Sequence, residues 1–365
     1  MKKSSDNQQI TLQHIADQLQ LSLCTVSQAI SGKGRVSAKT RERVRQVAQE
    51  LGFEPNAMAQ RLAHGGEDKS VALFALYLDL GVATRKLQLL QRALYERGYT
   101  APIHAFGTDV GSKDVIQAEL LRNLRRLRPR AIILYTMKLN DEAVDEARQY
   151  IQKGGHIITY DVPVDLDCDK VLFDRAQNTY TATRHLLDLG HKQIGFYVGS
   201  WPVAGNNPRL AGLKTALAEF NVPLSREWLD FADDADNFDY RPHEDLGIQL
   251  AEYYLSLKKR PSAMCIVSDM TAASFVNTVR ARGLRVPEDV SVIGHDDLPF
   301  IETFGLTTVS HPVRPIANDV IELLMDRLEG GYDGPPRTRT VHGELRVRHS
   351  TAPHRSLRAG KKVLS

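Results

Sequence analysis

Thr11-Leu-Gln-His-Ile-Ala-Asp-Gln-Leu19, then Gln20-Leu21, then Ser22-Leu-Cys-Thr-Val-Ser-Gln-Ala-Ile30, then Val36-Ser-Ala-Lys-Thr-Arg-Glu-Arg-Val44 decide how the chain begins. Leu12, Ile15, Ala16 and Leu19 recur at helical spacing and form one apolar stripe, with Thr11 placed to cap the first turn. Leu21 fills the angle of a short turn, and Ser22 caps a second helix over residues 23–30. Val26, Ala29 and Ile30 face inward there, which leaves Leu23, Cys24, Thr25, Ser27 and Gln28 outside. Residues 31–35 form a loop punctuated by two glycines. Ser37 caps a third helix over residues 38–51, with Val44, Val47, Ala48 and Leu51 inside and Gly52 as its stop. Two short helices at a tight turn, completed by a third, make a helix-turn-helix unit. Its second helix is polar outward, as a helix entering a major groove about 12 Å wide must be. Helix spacing alone is equally compatible with a three-helix bundle of another purpose.

Charge supports the first reading. Residues 1–66 hold nine lysines and arginines against five carboxylates, whereas the rest of the chain holds 38 against 39. A basic head on a near-neutral body is the footprint of a polyanion-binding module. Overall, 42% hydrophobic and 25% charged residues are those of a globular protein, and 365 residues exceed one typical core. The longest apolar run, residues 71–82, is interrupted by Asp79, and no secretory leader follows Lys2 and Lys3. Cys24, Cys168 and Cys265 are far apart and odd in number, suggesting neither a disulfide framework nor a zinc site, so a reducing cytoplasm is expected.

The order and density of these motifs resemble the head of the LacI/GalR family of bacterial regulators, and Leu51-Gly-Phe-Glu-Pro-Asn-Ala-Met-Ala-Gln-Arg-Leu62 continues the likeness. The resemblance implies that Leu23, Cys24 and Gln28 face base edges. Thr11, Ser22, Thr25, Ser27, Ser31, Arg35 and Thr40 complete the expected DNA surface, where small hydroxyls and helix starts suit phosphate. Pro55 to Leu62 resembles the family's hinge helix, too short to hold alone in water. Asn56, Ala59 and Leu62 are then expected in the minor groove, Leu62 wedging a base step.

From Ser70 onward, short apolar runs alternate with helical patterns. Strands are expected at residues 71–77, 131–135, 156–160, 193–198, 263–267 and 290–293, with helices at 85–97 and 141–153 between them. Such alternation makes parallel sheets buried on both faces. Two sheets with a cleft are expected at this length, with ligands beyond the carboxyl ends of the strands. His185-Leu-Leu-Asp-Leu-Gly-His191, Arg209-Leu-Ala-Gly212, Val267-Ser-Asp269, Gly283-Leu-Arg-Val-Pro287, Gly294-His-Asp-Asp297 and Leu306-Thr-Thr-Val-Ser-His-Pro312 resemble the family's effector domain, in its order.

The resemblance therefore implies an α plus α/β chain: a helix-turn-helix head over 1–54, hinge and linker over 55–69, and a periplasmic-binding-protein-like effector and dimerisation domain over 70–350. Its first lobe is expected at about 70–172 plus 312–340, its second at about 173–311 plus 341–350, and a basic, disordered tail at 351–365. It also implies an effector site of Asp161, Arg209 and Asp296, with Phe173 stacking on a ring and Ser268 and Asp269 nearby. A guanidinium grips hydroxyls or a carboxylate with paired bonds. Where the family usually carries an Asn-Pro-Phe-type segment, Leu78-Asp-Leu-Gly-Val-Ala-Thr84 stands, which leaves the pocket's chemistry on that side open. Sugars are the family default, with nucleobases, nucleosides and phosphorylated metabolites less common.

The resemblance implies a homodimer on palindromic double-stranded operator DNA, a small-molecule effector, most often a carbohydrate, and no membrane partner, metal or cofactor. The tail, with Leu357 and Leu364 alone, is too short for a coiled coil that would build tetramers. No nucleophile elbow, phosphate-cradling loop or HExxH motif marks an enzyme. His64, His185, His191 and His295 read as isolated, structural residues. An architectural DNA-binding protein without effector is the other reading that the altered first lobe allows.

Gln28 suits adenine through N6 and N7, where the family commonly places an arginine that pairs with guanine. Selection of binding sites from random DNA is expected to return adenine opposite Gln28. A strict guanine requirement there, unchanged in Gln28→Ala, would contradict this.

Overall fold

Apolar stripes close the first unit on itself. The computed structural model describes residues 10–31, 34–51, 53, 69–75, 81–105, 113–135, 139–161, 163–198, 207–229 and 243–356, and the chain divides into units of Met1–Asp68 and Lys69–Ser365. In the first unit, helices α1 (Leu12–Leu19), α2 (Leu23–Ser31) and α3 (Ala38–Glu50) bury Ile15, Ala16, Leu19, Val26, Ala29, Val44 and Ala48 together. Leu21, Ile30, Val47 and Leu51 pack half-buried around them. The turn after α1 is made by Gln20 in the left-handed region, φ 53°. Ser22 Oγ accepts from Thr25 N–H at 3.1 Å, and Ser37 Oγ accepts from Thr40 N–H at 3.1 Å, capping α2 and α3. At the first cap Thr11 and His14 form a capping box, in which His14 Nδ1 accepts from the Thr11 N–H at 3.0 Å. Gly52 lies outside the described residues.

The second unit holds two sheets. In the first, β1 (Val71–Ala75), β2 (Ile103–Ala105), β3 (Ala131–Tyr135), β4 (His156–Asp161), β5 (Asp169–Phe173) and β10 (Thr338–Val341) lie in the order β10-β5-β4-β3-β1-β2, all parallel. Alternate residues of β1 and β3 go to opposite faces. Leu73, Ile133 and Tyr135 meet α4 (Val82–Tyr95) and α12 (Val313–Leu328). Ala72, Phe74, Ile132 and Leu134 meet α5 (Lys113–Leu127) and α6 (Asp141–Gln152). Helix α4 begins three residues earlier than the pattern suggested, because Gly81 and Val82 already belong to its first turn.

The second sheet has the order β11-β9-β8-β7-β6, built from β6 (Ile194–Tyr197), β7 (Ala263–Ile266), β8 (Ser291–Asp296), β9 (Thr307–Ser310) and β11 (Leu345–Arg346). Its edge strand β11 is antiparallel, a departure from the all-parallel expectation. Helices α7 (Arg175–Asp188) and α8 (Pro208–Glu219) cover one face. Helices α9 (His243–Ser256) and α10 (Asp269–Ala281) cover the other, with the short α11 (Pro299–Phe304) beside them.

The chain passes between the sheets three times, after Phe173, after Ser310 and after Val341. Phe173 and Val341, expected to open segments of the second lobe, pair with each other in the first sheet, where the β5–β10 ladder runs one residue further. The expected disordered tail is also corrected. Val292 N–H donates to Ser350 O at 2.7 Å, Ala352 N–H to Ser291 Oγ at 3.1 Å, and Arg355 to Asp289 at 2.6 Å. Residues 350–356 thus lie fixed along the second lobe, and residues 357–365 are outside the described set. Two histidines expected to be structural serve this seam: His191 Nε2 meets Ala352 O, and His185 Nε2 meets Thr351 Oγ1, both at 3.0 Å.

Helices α7 and α8 cross with no side chain between them at Gly212, where an added Cβ would overlap the Ala176 carbonyl oxygen and the Tyr180 backbone. Helix propensity favours alanine over glycine by about 1 kcal/mol. Gly212→Ala is nevertheless expected to lower the melting temperature by several degrees, since backbone on both sides must part, at a cost of about 2 kcal/mol or more. An unchanged or raised melting temperature in calorimetry would contradict that contact.

Candidate functional site

On the head, the outward face of α2 presents the residues expected to read DNA. Leu23 and Cys24 are exposed, as are Thr11, Ser22 and Arg35. Thr25, Ser27, Gln28 and Thr40 are half-buried. Gln28 Nε2 lies 3.6 Å from Cys24 Sγ one turn away, so the two side chains lie together on one stripe. Ser22 and Thr25 hydroxyls pair at 2.8 Å at the helix start, and Ser37 and Thr40 do so at the start of α3. The Ser31 side chain, Asn56, Ala59 and Leu62 lie outside the described residues.

In the body, chemistry gathers at the carboxyl ends of the two sheets. Asp161 ends β4 with φ 71°, and Asp296 ends β8 with φ 114°. Side chains other than glycine rarely take this backbone, and such strained positions cluster at functional sites. Asp161 is buried, and the fully buried Lys86 donates to its Oδ2. Lys86 Nζ also lies 3.1 Å from His311 Nε2, which itself stands 3.3 Å from Asp161 Oδ1. On its other side, His311 Nδ1 is 3.9 Å from Asp296 Oδ1, and its backbone N–H donates to Asp296 O at 3.0 Å. A continuous polar chain, Lys86–Asp161–His311–Asp296, therefore joins the strand ends of the two lobes.

Aromatic faces surround it. Tyr135 and Tyr160 stack at 5.2 Å between centroids, with Lys86 Nζ 5.1 and 5.4 Å from those rings. Phe173 lies 4.1 Å from the His311 ring and 5.2 Å from the Arg175 guanidinium. Arg175, at the start of α7, donates to the Asp161 carbonyl at 2.6 Å and so ties the second lobe to the first.

Burial opposes the charge of Asp161, but Lys86 and His311 outweigh it and hold its carboxyl far below the usual range. Burial pushes the Lys86 ammonium down against the pull of Asp161. Burial, then Lys86, drives His311 down to about 4, so its imidazole is neutral at neutral pH. Its Nε2 lies between Lys86 Nζ and Asp161 Oδ1, and its Nδ1 faces Asp296. Arg209 is half-buried near the start of α8, where burial and then Arg175 lower it to about 9, against Asp296 and Asp161. Burial, then Arg209, also lowers His295 to about 3.

The structure thus brings together Asp161, Phe173, Arg209 and Asp296 as the sequence suggested. Ser268 stands at the end of β7 with its buried hydroxyl unpartnered among the described residues. Asp269 does not join them. Its carboxylate accepts from Leu298 N–H at 3.1 Å and from the Thr308 hydroxyl at 2.7 Å, inside the second lobe, with only a glycine fitting at position 294 against it. Burial and the nearby Asp296 push its carboxyl well up. Asp269 fixes the turn after β8 and so positions Asp296. Lys86, His311, Arg175 and Tyr135 were missed. His311 directly follows β9 and Arg175 stands two residues past the end of β5, positions that the rule of strand ends would have found. Lys86 lies on the buried stripe Ala83, Lys86, Leu87, Leu90, Leu94, where a charge among apolar positions was the signal.

Comparison with known proteins agrees with this arrangement. Residues 11–56 match the model for bacterial regulatory proteins of the lacI family, and residues 183–351 match a periplasmic binding protein-like domain. The HTH-type transcriptional repressor PurR of Vibrio vulnificus is 26% identical over 340 residues, covering 93% of this chain and 97% of that protein. The ribose operon repressor of Haemophilus influenzae is 26% identical over 321 residues, covering 87% and 92%. A crystal structure of the Lac repressor bound to ONPG shares the fold with a TM-score of 0.72 at 23% identity, covering 94% of this chain and 99% of that one.

Breaking one half of a buried ion pair strands the other charge and costs about 3–5 kcal/mol. Lys86→Met and Asp161→Asn are each expected to lower the melting temperature strongly, and the double variant by less than the sum of the two. Strict additivity in a double-mutant thermal-unfolding cycle would show that the pair is not coupled.

Proposed function

Because the chain belongs to the LacI/GalR family of bacterial transcriptional regulators, we propose that it is a repressor whose grip on a palindromic operator is set by a polyhydroxy effector, a sugar or sugar derivative, held between the two lobes of its body. The observation that carries this reading is the polar chain Lys86–Asp161–His311–Asp296, with Arg175 and Arg209 beside it. Carboxylates, guanidinia and aromatic faces at the carboxyl ends of two parallel sheets are what a sugar requires: paired hydrogen bonds for its hydroxyls and a ring to lie on. The relatives are named as repressors, one of them of a ribose operon, which supports both repression and a sugar-like ligand.

In this mechanism the head supplies sequence reading. Leu23, Cys24 and Gln28 face base edges, while Ser22, Thr25, Ser27, Arg35 and Thr40 anchor phosphates. Two chains act together, as a palindromic site requires. In the body, a ligand bridging Asp161, Arg209 and Asp296 favours one spacing of the lobes over another. It shifts operator affinity only by its difference in affinity for the two states. The residues gathered in the cleft bind and orient, and the reading assigns them no reaction. No helix among the described residues is long and apolar enough to cross a membrane, and the reading places the protein in the cytoplasm with its DNA.

The test is fluorescence anisotropy on a selected palindromic operator, titrated with sugars, nucleosides and sugar phosphates. One compound is expected to change operator affinity about tenfold or more, within the usual range of allosteric coupling, and to lose that effect in Arg209→Ala. Tight, salt-dependent operator binding that responds to no compound, with no compound raising the melting temperature, would favour an architectural protein without effector.

A further inference from the structure

The strands of the first sheet start on a face that points away from the cleft, and exposed cations gather there. Lys69 precedes β1, and Arg97 lies in the turn between α4 and β2. Arg126 and Arg128 stand where α5 gives way to β3, and Lys153 where α6 gives way to β4. All five are exposed. Backbone bonds hold these turns side by side. Thr100 N–H donates to Lys69 O at 2.7 Å and Arg130 N–H to Ser70 O at 2.8 Å, while the Tyr150 hydroxyl of α6 donates to Pro129 O.

None of the five meets a carboxylate among the described residues. Their neighbours do: Arg92 is spent on Glu96, and Arg122 and Arg125 on Glu142 and Glu146. Asp167, Asp169 and Asp333 stand at the other edge of the sheet, before β5 and β10, where Asp169 holds Arg327 and Arg337. Helix ends account for part of the charge. Helices α4, α5 and α6 all finish on this face, and each leaves about half a negative charge on its last carbonyls. Together with Glu329, which accepts from the Tyr99 hydroxyl at 2.9 Å, they offset roughly half of the five cations. The remainder is uncompensated.

Arg128 is the most telling member. It takes a left-handed backbone, φ 52°, just past the end of α5. The turns after α4, α6, α7 and α10 give that place to Gly98, Gly154, Gly190 and Gly283, and the turn after α8 to Asn221. An arginine there costs about 1 kcal/mol, and its side chain meets no acid among the described residues. Strain of this kind persists where function needs the side chain.

Continuity of the chain points to the partner. Lys69 is the first residue of the second unit and follows directly on the unit that carries the helix-turn-helix. The chain from Phe53 to Lys69 spans at most about 55 Å. A tether of that reach sets an effective concentration on the order of millimolar. Sequence-independent contacts to DNA have dissociation constants of about 0.1 mM or below, so a modest basic face on the body adds to binding.

We propose that this face of the first lobe is a second DNA contact, in which Lys69, Arg126, Arg128 and Lys153 meet backbone phosphates of the duplex that the head holds, without reading its sequence. The inference takes operator binding by the head as given.

The experiment measures anisotropy of the full chain on a selected operator and on an unrelated duplex, from about 50 to 200 mM salt. Arg126→Gln/Lys153→Gln removes two charges from the face. Lys258→Gln/Lys259→Gln removes two from an exposed run at the amino end of the second sheet. The two sheets meet through their carboxyl ends, so that run faces the opposite way. The first pair is expected to flatten the slope of log affinity against log salt by about two for the dimer, one phosphate per chain at about 0.9 each. Affinity should fall about tenfold at low salt, by the same factor on both duplexes. The second pair should leave the slope unchanged. Arg128→Gly should weaken binding severalfold while keeping or raising the melting temperature, a split that a purely structural residue does not give. An unchanged slope in the first pair, or an equal loss in the second, overturns the inference while operator binding by the head stands. If the wild type binds neither duplex, both fall.

Discussion

A lysine ammonium with no access to water is the constraint on which the body of this protein depends. Lys86 lies on the inward stripe of α4, where Ala83, Leu87, Leu90 and Leu94 close the core of the first lobe. A charge there is tolerated only if an opposite charge and further hydrogen bonds meet it. Asp161 supplies the charge, His311 a neutral nitrogen and Tyr135 and Tyr160 their ring faces. Each of these must be delivered to one point from β4, β3 and the crossover after β9. The left-handed backbone of Asp161 follows from that requirement, since the strand must turn its last carboxylate back toward α4.

The same point is where the lobes are joined. His311 sits on the crossover that leaves the second sheet for α12, and it faces Asp161 on one side and Asp296 on the other. Arg175 sits on the crossover that enters α7 and reaches back to the Asp161 carbonyl. Two of the three crossovers therefore carry a side chain that reads Asp161. A ligand that competes for Asp161 or Asp296 alters the polar contacts at both crossovers at once. Packed interfaces of this kind change between discrete arrangements rather than by degrees, which makes the cleft suited to a switch.

Much of this was legible in the sequence, and the exceptions are instructive. The head was legible because its stripes are short, capped by Thr11, Ser22 and Ser37, and unbroken by conflicting residues. The buried strands were legible as apolar runs, and Asp161, Arg209 and Asp296 as motif positions at strand ends or helix starts. Lys86 was not, because a lysine on a helix reads as a solvated position until its partners are known. Those partners lie 75 and 225 positions away in the chain. Asp269 was misplaced because a residue after a strand can turn toward the cleft or into the lobe, and only the contacts of Thr308 and Leu298 decide which. The C-terminal segment misled through its charge. Its anchors are Ser350, Thr351, backbone groups and the pairing of Arg355 with Asp289, which leave no periodic trace.

Linkage offers the most direct measurement. If the cleft and the head are coupled, whatever factor a ligand imposes on operator affinity, the operator must impose on ligand affinity. Calorimetric titration of the tightest cleft ligand into the free protein and into its operator complex measures this. The account predicts dissociation constants that differ by the same factor as the two operator affinities, with the difference abolished in Arg209→Ala. Equal ligand affinity in the free and DNA-bound protein would contradict it, since the cleft would then bind its ligand without informing the head.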